Sequence, residues 1–271
     1  MVARLRAAGC VFAEEEAAIL GASAASPAEL GAMVARRAAG EPLEQVVGWA
    51  EFAGRRVVVD PGVFVPRRRS EFLVEVAVLL AGATGVRDTG PRVVVDLCCG
   101  TGALGLAVAA ELGRAGGVEL HAADLDPAAV ACARRNVAPA GGHVYAGDLF
   151  GPLPGSLRGR TGVLICNAPY VPTTEIAFMP AEARDHEALM ALDGGADGLA
   201  ILRRVAADAG GWLAPGGILL VETSERQAAA MAAAMSDAGL AARIHEDAES
   251  GATVVTGVLP GGDCIGFSHD A

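Results

Sequence analysis

From residue 92 onward, short continuous apolar runs alternate with segments long enough to form helices. Such runs, separated by helices, are typical of parallel strands that are buried on both faces of a sheet. The predicted strands lie at 93–97, 118–125, 143–149, 163–166 and 218–223. The predicted helices lie between them, at 102–113, 127–138, 198–211 and 225–238. With RIHED and ATVVTGVL pairing as a closing ribbon, the pattern predicts an α/β fold with a Rossmann-like, seven-stranded, mostly parallel sheet.

The residues before this sheet predict a small helical unit and a linker. Ser26 can cap a helix that Pro27 begins and Gly40 ends, and Asp60-Pro61-Gly62 is a turn signal between two β-type runs. The predicted elements are helices at 14–21 and 27–40, two β runs within 54–66, a helix at 70–80 and a loop at 81–91. The predicted domains are a helical cap at 1–52, a β-hairpin linker with a connecting helix at 53–82, and a ligand-binding domain at 83–271.

Charge and cysteine content narrow the class of function. A formal net charge of -11 argues against a general nucleic-acid or anionic-membrane surface. No apolar run reaches the roughly 18 residues that a membrane-spanning helix needs. The six cysteines form no Cys-x-x-Cys pair and the five histidines are scattered, so neither a metal site nor a disulfide framework is predicted. This composition predicts a protein of the reducing cytoplasm.

The stretch VVVDLCCGTGALGLAVA reads as a strand, a glycine loop and the start of a helix. Residues 100–105 match G-x-G-x-x-G, and Asp124 ends the next strand about 20 residues later, as in nucleotide-binding sites. Glycines let a ligand approach the backbone, and an acidic side chain there accepts hydrogen bonds from ribose hydroxyls. This pattern alone does not separate NAD from S-adenosylmethionine.

Two further carboxylates favour S-adenosylmethionine. Asp96 ends the first strand, where a negative charge suits the cationic methionine end of that cofactor better than a pyrophosphate. Asp148 ends the third strand and can accept a hydrogen bond from an adenine amino group while Leu149 or Phe150 lies on the ring. For Asp148 the alternative is a turn-forming or helix-capping aspartate, and both interpretations stay open.

The fourth predicted strand runs directly into Asn167-Ala168-Pro169-Tyr170. In open α/β sheets ligands bind at the carboxyl ends of the strands. The amide oxygen of Asn167 and a fixed backbone carbonyl can each accept a hydrogen bond from one NH2 group, while Tyr170 stacks on a planar amide or base. Pro169 stiffens the turn. The motif predicts an N-methyltransferase that works mainly by positioning its acceptor nitrogen.

These motifs together resemble one known family. They are D-L-x-x-G-T-G at 96–102, the acidic strand end at 124, G-D-L-F at 147–150 and N-A-P-Y at 167–170. The sequence is similar to the HemK/PrmC-like group of S-adenosylmethionine-dependent protein glutamine N-methyltransferases over nearly the whole chain. The linker AAGEPLEQVVGWAEFAGRRVVVDPGVFVPR and the segment ALDGGADGL carry the likeness beyond the general methyltransferase motifs.

The resemblance implies a class I methyltransferase whose cap recognises the substrate. It implies methyl transfer to the side-chain amide of the glutamine in the Gly-Gly-Gln loop of translation release factors. The residues predicted to bind the cofactor are Asp96, Cys98, Cys99, Gly100, Thr101, Gly102, Asp124, Leu125, Asp148, Leu149 and Asn167. The predicted catalytic residues are Asn167, Ala168, Pro169 and Tyr170, and the predicted substrate-binding residues are Arg67 and Tyr170.

The sequence departs from the family pattern at several positions. The family motif is N-P-P-Y, so Ala168 replaces a proline but keeps its backbone carbonyl, and Cys98 stands where the first glycine is usual. In VPRRRSE, Arg68 and Arg69 replace a proline and an acid. We interpret Arg68 and Arg69 as a solvated helix start, with recognition of a carboxylate-bearing substrate as the alternative. These changes indicate a divergent member, and an N-methyltransferase acting on a small molecule or peptide in biosynthesis stays open.

Other functions are weighed against this one. A nucleic-acid amino-methyltransferase uses the same N-P-P-Y motif to hold its amino group, but the acidic net charge and the family-like linker of this chain count against that function. An NAD-dependent oxidoreductase lacks an evident hydride-transfer constellation. A non-catalytic cofactor-binding module is disfavoured by the intact Asn167 and Tyr170. Glu222 is interpreted equally well as a site residue or a simple strand end, and the acidic run Glu182, Asp185 and Glu187 as a mobile, solvated segment.

Overall fold

A computed structural model describes residues 1–83 and 90–261 of the chain. Most of the loop predicted at 81–91 therefore lies outside the described residues, as does Cys264. Among the described residues, no helix has both the length and the apolar character needed to cross a bilayer. The same part of the chain holds no cluster of three or more His, Cys, Asp or Glu side chains suited to a metal ion.

A small helical cap with its own core precedes the sheet. Its helices are α1 (Val2–Ala7), α2 (Ala13–Ser23), α3 (Pro27–Ala38) and α4 (Leu43–Val47). Ser26 caps α3 by accepting a hydrogen bond from the amide of Glu29, and Pro27 occupies the first turn, as the sequence predicted. The cap core consists of Leu5, Cys10, Ala13, Ala17, Leu20, Met33, Val34 and Val46. This separate core explains why the first 47 residues need no contact with the sheet to bury their apolar faces.

The linker hairpin lies earlier in the chain than predicted. Its strands are β1 (Trp49–Phe52) and β2 (Arg55–Val58), joined by a tight turn at Ala53 and Gly54, which both have positive φ. Of the two β runs predicted within 54–66, the first is confirmed as β2 and the second is wrong, and the predicted boundary at residue 52 passes through the hairpin. The Asp60-Pro61-Gly62 turn forms, but the amide of Val65 then donates to the Glu187 carboxylate at 3.1 Å instead of entering a ladder.

Seven strands form one twisted sheet in the order β5-β4-β3-β6-β7-β9-β8. They are β3 (Arg92–Leu97), β4 (Val118–Asp124), β5 (His143–Ala146), β6 (Thr161–Cys166), β7 (Leu213–Thr223), β8 (Ala241–Asp247) and β9 (Ala252–Val258). The first five in this order are parallel, and β9 and β8 close the edge as an antiparallel ribbon. The predicted seven-stranded, mostly parallel sheet is confirmed.

Helices cover both faces of this sheet. They are α5 (Glu71–Ala83), α6 (Ala103–Gly113), α7 (Pro127–Val137), α8 (Ala181–His186), α9 (Ala200–Ala209) and α10 (Glu225–Asp237). One core cluster joins α9 and α10 to the sheet, and a second joins α5 and α6 to the opposite face. Because the central strands are buried on both sides, their polar residues are confined to the strand ends, and the carboxyl ends of β3, β4, β6 and β7 meet at one edge.

Candidate active site

The glycine loop between β3 and α6 turns the chain sharply beside the sheet edge. Cys98, Gly100 and Gly102 all have positive φ, at 53°, 55° and 77°. A Cβ at Gly102 would lie 2.7 Å from Val137 Cγ2, so glycine is required for α6 to start against α7. Residues 98–101 of this loop line the cavity.

Asp96 lies beneath this loop and is almost fully buried, with 1% of its surface exposed. Its Oδ2 accepts a hydrogen bond from the Gly105 amide at 2.8 Å, while Oδ1 has no partner among the described residues. Burial raises the pKa of Asp96 to about 7, and the charge of Asp124 adds to this rise. The side chain supports the loop from below and does not line the cavity, so the predicted contact with the cofactor stays a prediction.

Asp124 lies at the end of β4 and faces the cavity directly. Its Oδ2 accepts from the Gly100 amide at 2.8 Å, and its Oδ1 accepts from the Asp126 amide at 2.9 Å. Burial raises its pKa, and the backbone hydrogen bonds oppose that rise. Each oxygen keeps a second lone pair, which lets the carboxylate accept from the hydroxyls of a ribose.

The end of β5 supplies the next part of the wall. Leu149 adopts a left-handed conformation with φ 47° and lines the cavity, as does Asp148. The carboxylate of Asp148 is ion-paired with Arg204 at 2.5 Å. Thr101, Leu125 and the two adjacent cysteines also line this side. The structure thus brings the predicted cofactor residues together, while their individual roles stay predictions.

Asn167 follows β6 at the same sheet edge, where Cys166 is in register with Val221 of β7. Its Nδ2 donates to Ser70 Oγ and to Glu222 Oε2, each at 3.4 Å. Among the described residues, no group donates a hydrogen bond to its Oδ1 or to the backbone carbonyl of Ala168. Both acceptors belong to residues that line the cavity, which is the arrangement that the N-A-P-Y motif predicted.

Tyr170, Glu222 and Arg69 form a charged network behind Asn167. The Tyr170 hydroxyl donates to Glu222 Oε1 at 2.9 Å, and Arg69 donates to the same oxygen at 3.2 Å and to the Tyr170 hydroxyl at 2.6 Å. Burial raises the pKa of Tyr170 and the charge of Glu222 raises it further, so the phenol stays neutral. Arg68 and Arg69 are both exposed at the helical turn Arg68–Ser70 that precedes α5, as predicted, and Arg69 in addition pairs with the buried Glu222.

A second buried pair joins Arg67 to Glu187. The Arg67 Nη2 lies 2.7 and 2.6 Å from the two oxygens of Glu187, whose side chain is fully buried. Burial raises the pKa of Glu187, and Arg67 opposes this rise. The acidic run was predicted to be solvated, and this is wrong for Glu187, whereas the side chain of Glu182 is 42% exposed and pairs with Arg37 of the cap at 3.2 Å. Asp185 is the member of the run that is solvent-exposed.

The segment ALDGGADGL packs its backbone against the N-A-P-Y loop. A Cβ at Gly198 would lie 2.2 Å from both the Tyr170 carbonyl oxygen and Gln227 Nε2, so this close approach requires glycine. Gln227 Nε2 donates to the carbonyls of Tyr170 and Asp197 at 2.8 and 2.9 Å. The amide of Val171 donates to Leu192 at 3.1 Å. These contacts hold the loop in the absence of the first family proline, which Ala168 replaces.

A single cavity of about 630 Å³ joins these groups. Every predicted site residue lines it except two. Asp96 lies beneath the glycine loop, and Gly102 ends that loop at the start of α6. Sequence reasoning missed the roles of Ser70, Glu187 and Gln227, and it left Glu222 undecided. Glu222 had a usable signal, because its strand is the parallel neighbour of the strand that carries Asn167. The missed apolar lining residues are Phe64, Val171, Met179, Leu189, Met190 and Leu192.

The fold and this cavity define a Rossmann-like class I methyltransferase. The family model of the methyltransferase small domain matches residues 56–198. The fold is also that of a T. thermophilus 16S rRNA methyltransferase solved with AdoMet and guanosine, at a TM-score of 0.53 and 21% identity, covering 78% of this chain and 49% of that one.

Curated relatives narrow the class to a family. A release factor glutamine methyltransferase of Streptomyces coelicolor is 38% identical over 195 residues, which cover 72% of this chain and 67% of the relative. The 4-amino-L-phenylalanine/4-methylamino-L-phenylalanine methyltransferase of Streptomyces pristinaespiralis is 35% identical over 200 residues, covering 74% and 67%. The chain belongs to the HemK/PrmC-like family of S-adenosylmethionine-dependent methyltransferases.

Proposed function

We propose that this protein transfers a methyl group from S-adenosylmethionine to the side-chain amide nitrogen of a glutamine in a protein, with the Gly-Gly-Gln loop of a release factor as the acceptor. The observation that carries the proposal is the pairing of two free acceptors, Asn167 Oδ1 and the Ala168 carbonyl, at the wall of the cavity. Each can accept one hydrogen bond from the two N–H groups of a primary amide.

The cofactor half of the cavity fits S-adenosylmethionine. Asp124 would hold the ribose hydroxyls, and Leu149 would lie against the adenine. The buried, unpartnered Oδ1 of Asp96 places negative charge under the loop, which favours a cationic ligand above it. When bound, the cofactor supplies an electrophilic methyl group on a positively charged sulfur. The volume of about 630 Å³ leaves space for an acceptor side chain beside it.

The acceptor half orients the amide nitrogen of the substrate. Catalysis then depends mainly on holding this nitrogen close to the methyl group. Asn167 and the Ala168 carbonyl fix the plane of the acceptor amide, and Tyr170 gives this plane an aromatic neighbour. The amide nitrogen would form a bond to the methyl carbon as the bond from that carbon to the cofactor sulfur breaks, with the electron pair staying on sulfur, and the nitrogen would lose one proton to solvent. Tyr170 cannot serve as the base near neutral pH, because burial and the charge of Glu222 both raise its pKa.

The charges of the cavity favour a neutral acceptor. Of the described residues that line it, every arginine is already paired with a carboxylate, namely Arg67 with Glu187, Arg69 with Glu222 and Arg204 with Asp148. An anionic acceptor would meet no uncompensated cation there, whereas a glutamine amide needs none. This balance counts against recognition of a carboxylate-bearing substrate by Arg69.

A small-molecule amine is the second candidate. The relative from Streptomyces pristinaespiralis is named for a free amino acid substrate, and Ala168, Arg68 and Arg69 depart from the family pattern. Such a substrate brings a carboxylate that the paired arginines cannot neutralise, so the glutamine amide is the better fit. We place the protein in the cytoplasm with its proposed substrate, acting directly on neither nucleic acid nor membrane.

The cap is proposed to hold the substrate protein over the cavity. It contacts the wall of the acceptor half through Arg37, which pairs with Glu182, and through Gln45, which donates to the carbonyls of Val63 and His186 at 3.0 and 3.3 Å. Glu182 and His186 belong to the helix α8, and Glu187 follows that helix directly. A protein bound to the cap would therefore lie next to the opening.

The test offers both acceptors to the purified enzyme with methyl-labelled S-adenosylmethionine. Host release factors form one arm and free aromatic amino acids with amino substituents form the other. Peptide mass mapping of the first arm is expected to place one methyl on the glutamine of the Gly-Gly-Gln loop. Labelling confined to the free amino acids would replace the proposal with the small-molecule function. Binding of no S-adenosylmethionine, measured by calorimetry, would exclude both.

A further inference from the structure

Asn167 presents its oxygen to the cavity only in one of the two orientations of its amide. In the reversed orientation, the NH2 group of Asn167 would face the NH2 group of the substrate amide, and two hydrogen-bond donors would oppose each other. The orientation of an Asn amide is fixed by its hydrogen-bond partners. The neighbours of Asn167 on its closed side therefore decide whether the site can hold an acceptor amide.

We propose that Glu222 is a positioning residue that locks the Asn167 amide with its oxygen toward the cavity, and that Arg69 and Tyr170 hold Glu222 in place for this task. The inference rests on the proposed function, and it assigns no contact between Glu222 and the substrate. Glu222 does not line the cavity; it acts through Asn167.

The geometry of the two strands brings these residues together. Cys166 and Val221 are in parallel register, so the residues that follow them lie side by side at the sheet edge. Glu222 Oε2 is 3.4 Å from Asn167 Nδ2, at the long end of an N–H···O hydrogen bond. Ser70 Oγ is also 3.4 Å from Nδ2. A carboxylate has no proton to donate, so it accepts from the NH2 group and repels the carbonyl oxygen of a reversed amide.

The other oxygen of Glu222 is already used. Oε1 accepts from the Tyr170 hydroxyl and from Arg69 Nε, at 2.9 and 3.2 Å. With 2% of its surface exposed, the carboxylate needs this cation, since an unpaired buried charge is costly. The two donors to Oε1 leave Oε2 as the oxygen that faces Asn167. Glu222 therefore stabilises only one of the two orientations of the Asn167 amide, and this gives a specific test.

In Glu222→Gln, the carbonyl oxygen of the new amide keeps the donors Tyr170 and Arg69, which directs its NH2 group toward Asn167. The Asn167 amide is then expected to reverse. We expect kcat to fall roughly 100-fold, the size of effect seen when one preorganised polar contact is removed from an active site. The affinity for S-adenosylmethionine should stay within about twofold, because the lost contact acts only on the acceptor. Glu111→Gln, which removes a surface carboxylate paired with Arg114, is the matched control.

A second substitution should repair the first. In Asn167→Asp combined with Glu222→Gln, the new carboxylate accepts from the new NH2 group and again offers an oxygen to the cavity. This double variant should recover kcat at least about tenfold over Glu222→Gln. Asn167→Asp alone places two carboxylates side by side and should be less active than the double variant. A merely structural role for Glu222 gives no such reciprocal rescue.

Nuclear magnetic resonance of the Asn167 side-chain NH2 group gives a readout that needs no acceptor. The signal, assigned by its absence in Asn167→Asp, should lie downfield in the wild type and move upfield in Glu222→Gln. The inference is overturned if Glu222→Gln keeps kcat within about threefold, if the double variant is no better than both single variants, or if the NH2 signal does not move. Should the wild type methylate no glutamine amide, the proposed function fails, and the resonance shift still decides the orientation.

Discussion

The two halves of the cavity hold their carboxylates in different ways. In the cofactor half, Asp96 and Asp124 are bonded to backbone amides and have no arginine partner among the described residues, and only Asp148 in the outer wall is paired, with Arg204. In the acceptor half, Glu187 and Glu222 are each paired with an arginine from the linker. Burial raises the pKa of both aspartates. A cationic ligand in the cofactor half would favour the ionised form of these two carboxylates, whereas in the acceptor half an arginine already does so for Glu187 and Glu222.

This difference matches the two ligands that a methyltransferase must distinguish. A sulfonium cofactor is cationic and gains from uncompensated carboxylates, whereas a primary amide is neutral and gains from fixed hydrogen-bond acceptors. Of the two arginines of VPRRRSE that replace a proline and an acid of the family pattern, Arg69 serves the acceptor half by pairing with the buried carboxylate of Glu222. The departure in sequence thus preserves neutrality in the site.

Removal of a hydrogen bond that holds the acceptor amide should have the largest effect on kcat. Asn167→Ala deletes one of the two acceptors and should lower kcat by roughly 100-fold to 1,000-fold. Cofactor affinity, measured by calorimetry, should change far less, because Asp124 and the glycine loop are untouched. If cofactor binding fell in step with kcat, the division of the cavity into two halves would be wrong.

Breaking a pair in the acceptor half should cost stability. Arg67→Met leaves the buried Glu187 without its cation and should lower the free energy of unfolding by about 2 kcal/mol, less than for a fully buried pair because Arg67 is about one third exposed. Urea titration measures this change. The neighbouring Arg68→Met, at an exposed side chain, is the control and should change the value by less than about 0.5 kcal/mol.

The cofactor half should show a pH dependence through Asp96. Asp96 has a folded-state pKa of about 7, raised by burial, against an ordinary value of 3.8. Between these values the folded protein holds an extra proton, so its stability falls as the pH rises through this window. Asp96→Asn removes the titration. Its stability relative to wild type should increase by about 2 kcal/mol from pH 5 to pH 8, because each pKa unit corresponds to 1.36 kcal/mol.

Urea titrations of both proteins at several pH values provide this comparison. A relative stability that stays constant from pH 5 to pH 8 would mean that Asp96 is ionised throughout. The comparison between the halves would then lose its electrostatic basis.

The smallest effect is expected at Cys98, where the loop geometry depends on the backbone. Its positive φ of 53° costs a non-glycine residue roughly 1 kcal/mol, while glycine costs a similar amount of chain entropy on folding. Cys98→Gly should therefore change the free energy of unfolding by less than about 1 kcal/mol and leave cofactor affinity intact. A larger loss, measured by urea titration, would show that the thiol packs as an essential part of the loop.

The sheet and the cofactor loop could be predicted from the sequence because their signals are local. Apolar runs at strand length, the glycines at 100–105 and the acid at the end of β4 each lie within a short stretch of chain. The closing ribbon was also predicted from two alternating segments, and its strands pair as expected. The hairpin was misplaced because Asp60-Pro61-Gly62 is a stronger turn signal than Ala53-Gly54, although only the latter joins two strands.

The acceptor half could not be predicted to the same extent, because its contacts join distant parts of the chain. Arg67 and Glu187 are 120 residues apart, and Arg69 and Glu222 are 153 residues apart. A run of three arginines looks alike whether it is solvated or paired, so the sequence alone could not separate Arg68 from its neighbours. Asn167 was found because its motif is local, whereas the residues that orient it were not.

The measurement that tests the central claim most directly is the location of the transferred methyl group on a protein acceptor. A release factor with the Gly-Gly-Gln loop and a variant with glutamate at the glutamine position would be incubated with wild-type enzyme and methyl-labelled S-adenosylmethionine, then mapped by tandem mass spectrometry. The account predicts one methyl on the glutamine amide and none on the glutamate variant. Equal labelling of both proteins, or label found only away from this loop, would contradict it.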